Sequence, residues 1–263
     1  MFEIKKAILL VVLFSHIPAF GRLASMQEAH VRSKLDFKIF VEADGKEKRI
    51  SHQELTLLTE AARQANATLN LTYFSNGVKF EVVKSEAHHP DGKIDYVDLS
   101  SLTREKNPGT SQLIDDSMSI SIPFPNVQIG STLVIETIET DIKMPIPGCF
   151  SFTKNFDNFI YSQDSRIDVS SKIPLFFEIK EESLWEVIVK KRNGEYPYQY
   201  HFRMKEDYFH LVISEEDSSP LQNGSTRIII SNQKTFSDIY QNVAAAFERE
   251  GRKSTQDSFL FPL

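Results

Sequence analysis

Between Leu184 and Ile213 three short segments alternate apolar and polar residues, separated by Asn193-Gly194 and by Glu206-Asp207. Asn-Gly is the strongest short hairpin signal, because both central residues of a type I′ turn need positive φ. A two-residue turn there sets Val189 opposite Tyr198, Val187 opposite Tyr200 and Trp185 opposite Phe202, all on one face. A second such turn at Glu206-Asp207 sets Met204 opposite Phe209, Phe202 opposite Leu211 and Tyr200 opposite Ile213. One face stays apolar across three strands. The other carries Glu186, Ile188, Lys190, Gln199, His201, Arg203, Lys205, His210 and Val212, and is largely polar. One buried and one wet face is the pattern of an antiparallel sheet in a sandwich. The stripe Tyr196, Tyr198, Tyr200, Phe202 is read as the inner face of that sandwich, with Tyr196 alone exposed; a platform for sugars or peptides is the competing reading.

From Leu35 onward the same style continues, short apolar runs broken by turn residues. Phe37–Val41 precedes the turn Ala43-Asp44-Gly45. Leu69–Phe74 and Val78–Val83 flank Ser75-Asn76-Gly77 and read as a hairpin. Pro90-Asp91-Gly92 leads into Ile94–Leu99, residues 104–112 read as a loop, Ile120, Ile122 and Phe124 alternate, and Ser131–Ile138 is a further strand. Helices are few. Ser51 and Glu54 have capping-box spacing, and with Leu55, Leu58 and Ala62 they predict a short helix to about Gln64. Phe236, Ile239, Tyr240, Val243, Ala244 and Phe247 line one helical face behind Thr235 as N-cap and Asp238 as its partner. No repeat of fixed period is present. A seam could be placed near Ser170-Ser171, although composition does not change there. The reading is an all-β, antiparallel β-sandwich-like domain over residues 30–232, followed by a C-terminal amphipathic helix and tail over residues 233–263.

The first 21 residues are an address. Lys5 and Lys6 precede the unbroken apolar run Ala7–Phe14, then Pro18, Ala19 and Gly21, the layout of a signal peptide cleaved after Gly21 or Ser25. Eight apolar residues fall far short of the ~20 that span a bilayer. Periplasmic or secreted location is therefore expected, and the single Cys149 suits such a compartment. Sequons at Asn66, Asn70 and Asn223 matter only in a eukaryote. With 30 basic against 36 acidic residues and a net charge of −6, binding by neutralisation of nucleic-acid phosphates is not expected.

Chemistry is harder to find. Cys149 lies in Ile146-Pro147-Gly148-Cys149 with no following helix pattern to stabilise a thiolate, and is read as a small loop or core residue. His88-His89-Pro90-Asp91 groups metal-ligand types, but neighbours at a strand end point to opposite sides. The other histidines lack His-x-x-x-His spacing. Glu215-Glu216-Asp217 and Asp115-Asp116 read as charged loops rather than calcium loops. No Gly-x-Ser-x-Gly, phosphate loop or dinucleotide fingerprint occurs. No catalytic, cofactor-binding or metal-ligating residue is assigned, and no enzyme, cofactor or metal is expected.

Three stretches carry a resemblance: Val41-Glu-Ala-Asp-Gly45, Ala87-His-His-Pro-Asp-Gly-Lys93 and Phe124-Pro-Asn-Val-Gln-Ile-Gly-Ser-Thr-Leu-Val-Ile-Glu136. In their order and spacing they resemble a bacterial domain of unknown function that precedes transglutaminase-like domains in exported proteins, over about residues 30 to 240. The resemblance implies a β-sandwich-like module whose associated Cys-His-Asp chemistry belongs to a following domain. Cys149 does not match that nucleophile, so no catalytic residue carries over, while Gly92 and Gly130 match structural positions. The expected function is a non-catalytic, exported binding or accessory module. Its partner would be a protein or polysaccharide, including a transglutaminase-like domain. The alternatives are the N-terminal part of a transglutaminase-like cysteine enzyme and a carbohydrate-binding module.

Overall fold

The computed structural model describes residues 22–106, 117–144, 146–156, 159–209, 212–213, 226–235 and 238. Residues 1–21, read as a signal peptide, the acidic residues Asp115-Asp116 and Glu215–Asp217, His210 and nearly all of the predicted C-terminal helix and tail lie outside the described residues. The N-terminal half contributes β1 (Arg22–Leu23), β2 (Val31–Val41), β3 (Glu47–Leu57), β4 (Thr68–Phe74), β5 (Val78–His88), β6 (Ile94–Tyr96), β7 (Thr103–Lys106) and β8 (Ser117–Pro123). The helix α1 (Glu60–Asn66) joins β3 to β4. Then follow β9 (Thr132–Asp141), β10 (Ser151–Asn155), β11 (Ile160–Ser162), β12 (Arg166–Ser171), β13 (Phe176–Lys180), β14 (Trp185–Lys191), β15 (Tyr198–Met204), β16 (Val212–Ile213) and β17 (Arg227–Ser231).

A nine-stranded sheet organises these pieces, in the order β14-β15-β12-β2-β3-β9-β5-β6 with β11 also beside β2. Its pairs are antiparallel except that β11 and β12 run parallel to β2. Register puts Leu35, Ile39 and Val41 of β2 on the same face as Leu55 and Leu57 of β3, since side chains alternate with period two. Two small sheets cover that face side by side. The sheet β10-β17-β13 closes a core of Ile39, Phe152, Ile167, Trp185, Tyr200, Phe202, Ile228 and their neighbours. The sheet β4-β8-β7, with Ala62 of α1, closes a second core of Leu57, Phe80, Ile120, Ile122, Leu133 and Ile135. Each fully buried side chain of this size contributes roughly 1.5–3 kcal/mol over leaving it in water. The seam therefore runs across β2 and β3, not at Ser170-Ser171, which lies inside β12.

The face read as apolar from Trp185 to Met204 is buried at Trp185, Tyr200, Phe202 and Met204, half-buried at Val187 and Tyr198 and exposed at Val189, and its register differs by two residues. Val187 faces Phe202, and Val189 faces Tyr200. A two-residue turn would put Pro197 opposite Lys190, where the ladder needs an N–H that proline lacks. The loop is longer instead, closed by the Arg192 N–H donating to the Pro197 carbonyl at 2.8 Å, and only Gly194 of the Asn-Gly pair has positive φ. A shift of two keeps every side chain on its face. The second predicted hairpin does not form. The other edge of β15 is taken by β12, Tyr208 exchanges backbone bonds of 2.8 Å with Ser162, and β16 pairs with β1.

Ser75-Asn76-Gly77 also links rather than folds back. Its strands enter different sheets, β4 beside β8 and β5 beside β9. Gly77 is needed for close approach: its carbonyl accepts from the N–H groups of Ile142 and Lys143, and a Cβ there would lie 3.2 Å from the Lys143 carbonyl. Residues 51–57 are strand, not helix, because β3 is paired along both edges, with Ser51–Thr137 and Thr56–Thr132 hydroxyl contacts at 2.7 and 2.9 Å. The helix begins later, at Glu60, where the Thr59 hydroxyl accepts from the Ala62 N–H. Residues 103–106, the edge of the predicted loop, pair with β8. Near the C-terminus Thr235 and Asp238 exchange reciprocal capping bonds of 2.8 and 3.2 Å, as their spacing suggested.

Candidate functional site

Three regions gather polar side chains. The first is where two of the motif stretches meet. Pro90-Asp91-Gly92 turns β5 into β6, with Gly92 at φ 86° and the His89 N–H donating to the Lys93 carbonyl at 2.8 Å. Gly130, at φ 87°, lies against Pro90, and a Cβ on it would stand 3.1 Å from the Pro90 ring. Only glycine fits both the backbone conformation and the contact. Beneath this contact His89 is buried, with Nδ1 3.1 Å from Ser131 Oγ and Nε2 3.1 Å from Asp95 Oδ2. The Asp95 carboxylate also receives Lys93 Nζ at 2.7 Å and Asn126 Nδ2 at 3.0 Å, and these bonds, led by Lys93, pull its pKa down to about 2. An ionised Asp95 accepts a hydrogen bond from the His89 Nε2–H, and in that tautomer Nδ1 accepts from the Ser131 hydroxyl.

Ser131, His89 and Asp95 thus form a hydrogen-bonded chain of the residue types used in nucleophilic catalysis. Access decides what it can do. Ser131 is 0 % exposed and its Oγ already accepts from the Gln128 N–H at 3.0 Å, so no substrate reaches it in this arrangement. The chain clamps the two motif turns together. His88 points the other way, to Glu86 at 2.7 Å, as expected of neighbours on a strand. The third motif stretch, Val41–Gly45, lies elsewhere: Gly45, at φ 88°, packs against Gly148 and Met144. Cys149 follows that contact; it is half-buried, and burial pushes its thiol pKa up, away from nucleophilic use.

The second region is the face of the nine-stranded sheet on which no other sheet packs among the described residues. Its histidines each meet a carboxylate. His52 lies between Glu136 (3.1 Å) and Glu54 (3.3 Å), His88 meets Glu86, and His201 Nδ1 is 2.6 Å from Asp168. Burial alone would raise the Glu86 carboxyl, but hydrogen bonds from His88 and Lys84 outweigh it and hold it low. A cleft of about 270 Å³ opens here between Arg166, Asp168, Glu186, Ile188, His201 and Arg203. Arg166 is held by both Asp164 oxygens at 3.0 and 3.1 Å, and Arg203 leads into an adjoining cleft with Lys34, Asp164 and Asp207. Fixed guanidinium and carboxylate groups in a half-open groove suit a polar ligand with both charges. Among the described residues no three His, Cys, Asp or Glu side chains converge to hold a metal.

Between the two cores a third polar group is enclosed. Arg49 pairs with Glu47 and, at 3.4 Å, with Glu139, while its guanidinium sits 4.9 Å from the Phe152 ring centre. Burial pushes the Glu47 carboxyl up to about 7, against the lowering effect of Arg49.

The aromatic stripe is core: Tyr200 and Phe202 are buried, Tyr198 packs against them, and Tyr196 is half-buried with its hydroxyl donating to Glu42 at 2.7 Å. Sequence reasoning missed Asp95 and Ser131 as partners of His89, and Asn126 as a partner of Asp95. The signal was present, because a hairpin turning at Pro90-Asp91-Gly92 brings Asp95 back opposite Ala87, diagonal to His89.

Residues 43–196 match DUF3857, a domain of unknown function with a solved structure. No curated protein sequence matches the chain. Among solved structures it is similar to a candidate protease from Parabacteroides distasonis, with TM-score 0.64 and 13 % identity over 78 % of this chain and 41 % of that one. It is also matched to leukotriene A4 hydrolase from Saccharomyces cerevisiae, with TM-score 0.40 and 13 % identity over 83 % of this chain and 32 % of that one. An M1 zinc metallopeptidase from Deinococcus radiodurans gives TM-score 0.35 and 7 % identity over 81 % and 44 %. At these identities the first likeness speaks to fold alone. The chain spans less than half the length of each of these structures.

Proposed function

The chain belongs to the DUF3857 family, and on that premise we propose that it is an exported, non-catalytic β module that binds a protein or polysaccharide partner in the periplasm or outside the cell. The observation that carries this reading is the division of the long sheet. One face is filled by two cores, while the other presents paired charges and a cleft between Arg166, Asp168, His201 and Arg203. A polar, preformed surface with a cleft suits recognition of an extended partner. The Ser131-His89-Asp95 chain, enclosed beneath the motif turns, serves as a clamp in this reading. Export rests on the layout of residues 1–21. In this role the module is of the kind that precedes transglutaminase-like domains.

The test is turnover. The purified chain is expected to show no amidase or transamidase activity, and robust activity that survives repurification overturns the reading. A second reading, the front part of a transglutaminase-like cysteine enzyme, is favoured by the much greater length of the similar structures. The intact mass of the native product separates the two. A mass about 2–3 kDa below 30.1 kDa supports an exported module that stands alone, and one tens of kilodaltons larger supports the enzyme.

A further inference from the structure

β14 ends the nine-stranded sheet, and among the described residues it pairs with β15 alone. Since Arg192 and Pro197 are hydrogen-bonded, the bonded positions toward β15 fall at Glu186, Ile188 and Lys190. The N–H and C=O groups of Trp185, Val187, Val189 and Lys191 therefore point out of the sheet. The strand that carries this edge has seven residues in unbroken register, with no proline and no bulge. Its exposed side chains are the apolar Ile188 (39 %) and Val189 (55 %) together with the charged Glu186, Lys190 and Lys191. The edge strand of the covering sheet, β13, exposes Phe176 and Phe177 on the same flank, where the Phe177 ring lies 5.3 Å from Phe202 of β15.

We propose that this flank joins a second copy of the chain by antiparallel β14–β14 pairing about a two-fold axis at Ile188. The outward-pointing groups then fall into the bonded pairs Val187 with Val189 and Trp185 with Lys191, from either copy to the other. Ile188 meets its counterpart. Glu186 meets Lys190 twice, at non-bonded positions where opposed side chains approach most closely. Neither Glu186 nor Lys190 is in an ion pair among the described residues. Moving the axis to Val187 or Val189 puts Ile188 against Glu186 or against Lys190, so charge selects the Ile188 axis. The strand is complementary to itself, as a two-fold interface requires. One shared edge is a small contact, and the dimer is of low affinity.

Sedimentation velocity on the purified chain, loaded from about 1 µM to about 1 mM, is expected to show a reversible monomer–dimer equilibrium. Glu186→Lys sets lysine against lysine, and Lys190→Glu sets glutamate against glutamate. Each is expected to weaken the dimer about tenfold or more, and the double variant to return within about threefold of the original Kd. Circular dichroism of the monomers controls for folding, which these exposed positions should leave unchanged. A chain that stays monomeric throughout overturns the proposal. So does a dimer that the single reversals do not move, or one that the double reversal does not restore.

Discussion

The core beneath β2, β12, β14 and β15 is lined by Phe150, Phe152, Phe156, Trp185, Tyr200 and Phe202, whereas the core beneath β3, β5 and β9 is lined mainly by Leu55, Leu57, Ile120, Ile122, Leu133 and Ile135. The aromatic core uses edge contacts, such as Phe37 on Phe152 at 5.5 Å, and a tilted Phe156–Trp185 pair at 5.0 Å. Such pairs add about 0.5–1.5 kcal/mol each beyond their burial. The aliphatic core relies on burial alone for most of its contacts. Reach differs as well. Aliphatic contacts are collected from Leu55 to Ile135, aromatic ones from Leu35 to Ile230. The family span 43–196 contains the whole aliphatic core but omits β2 and β17, which the aromatic core needs. One core closes among near neighbours; the other must wait for the two ends of the domain to meet, at a larger loop-closure cost.

Two variants probe that contrast. The largest effect is expected from Phe202→Ala, about 4 kcal/mol in the aromatic core, against about 3 kcal/mol for Ile120→Ala in the aliphatic one. Trp185, the single tryptophan, reports on the aromatic core alone. In urea, Phe202→Ala should bring the tryptophan transition ahead of the circular-dichroism transition, and Ile120→Ala should not. Coincident transitions in both variants would make the two cores one cooperative unit.

The next effect concerns the charges between them. The native pKa of Glu47, about 7, is raised above its ordinary 4.5. Its contribution to stability is thus fully present below about pH 4.5 and lost as pH rises through about 7. The amount is about 3 kcal/mol. Glu47→Gln should flatten that part of the pH profile of unfolding, and an unchanged slope would place its origin elsewhere. The smallest effect belongs to the motif clamp on the aliphatic side. Gly130→Ala adds a methyl group 3.1 Å from Pro90 at φ 87°, and a loss of about 1–3 kcal/mol in thermal or urea unfolding is expected.

Much of the fold was legible because strand faces follow local alternation. The buried sides of β2, β8 and β15 could all be read in this way. Partners were less legible. Both Asn-Gly turns suggested tight hairpins, yet one is lengthened by Pro197 and the other carries the chain from one sheet to another. The capping-box spacing at Ser51 was overridden by backbone pairing on both edges of β3. In the candidate site, His88 and His89 stood out as residues, but Ser131 lies forty-two positions from His89 and only the folded sheet joins them.

By itself the sequence determined the alternating faces, the turn at Pro90-Asp91-Gly92 and the capping exchange between Thr235 and Asp238, because each depends on residues only a few positions apart. Only the tertiary structure decided that β12 runs parallel to β2, that one sheet carries two cores, and that β14 is left at an edge. Strand pairing is contested among many segments of similar apolar pattern, and the outcome depends on which set of partners buries all of them together.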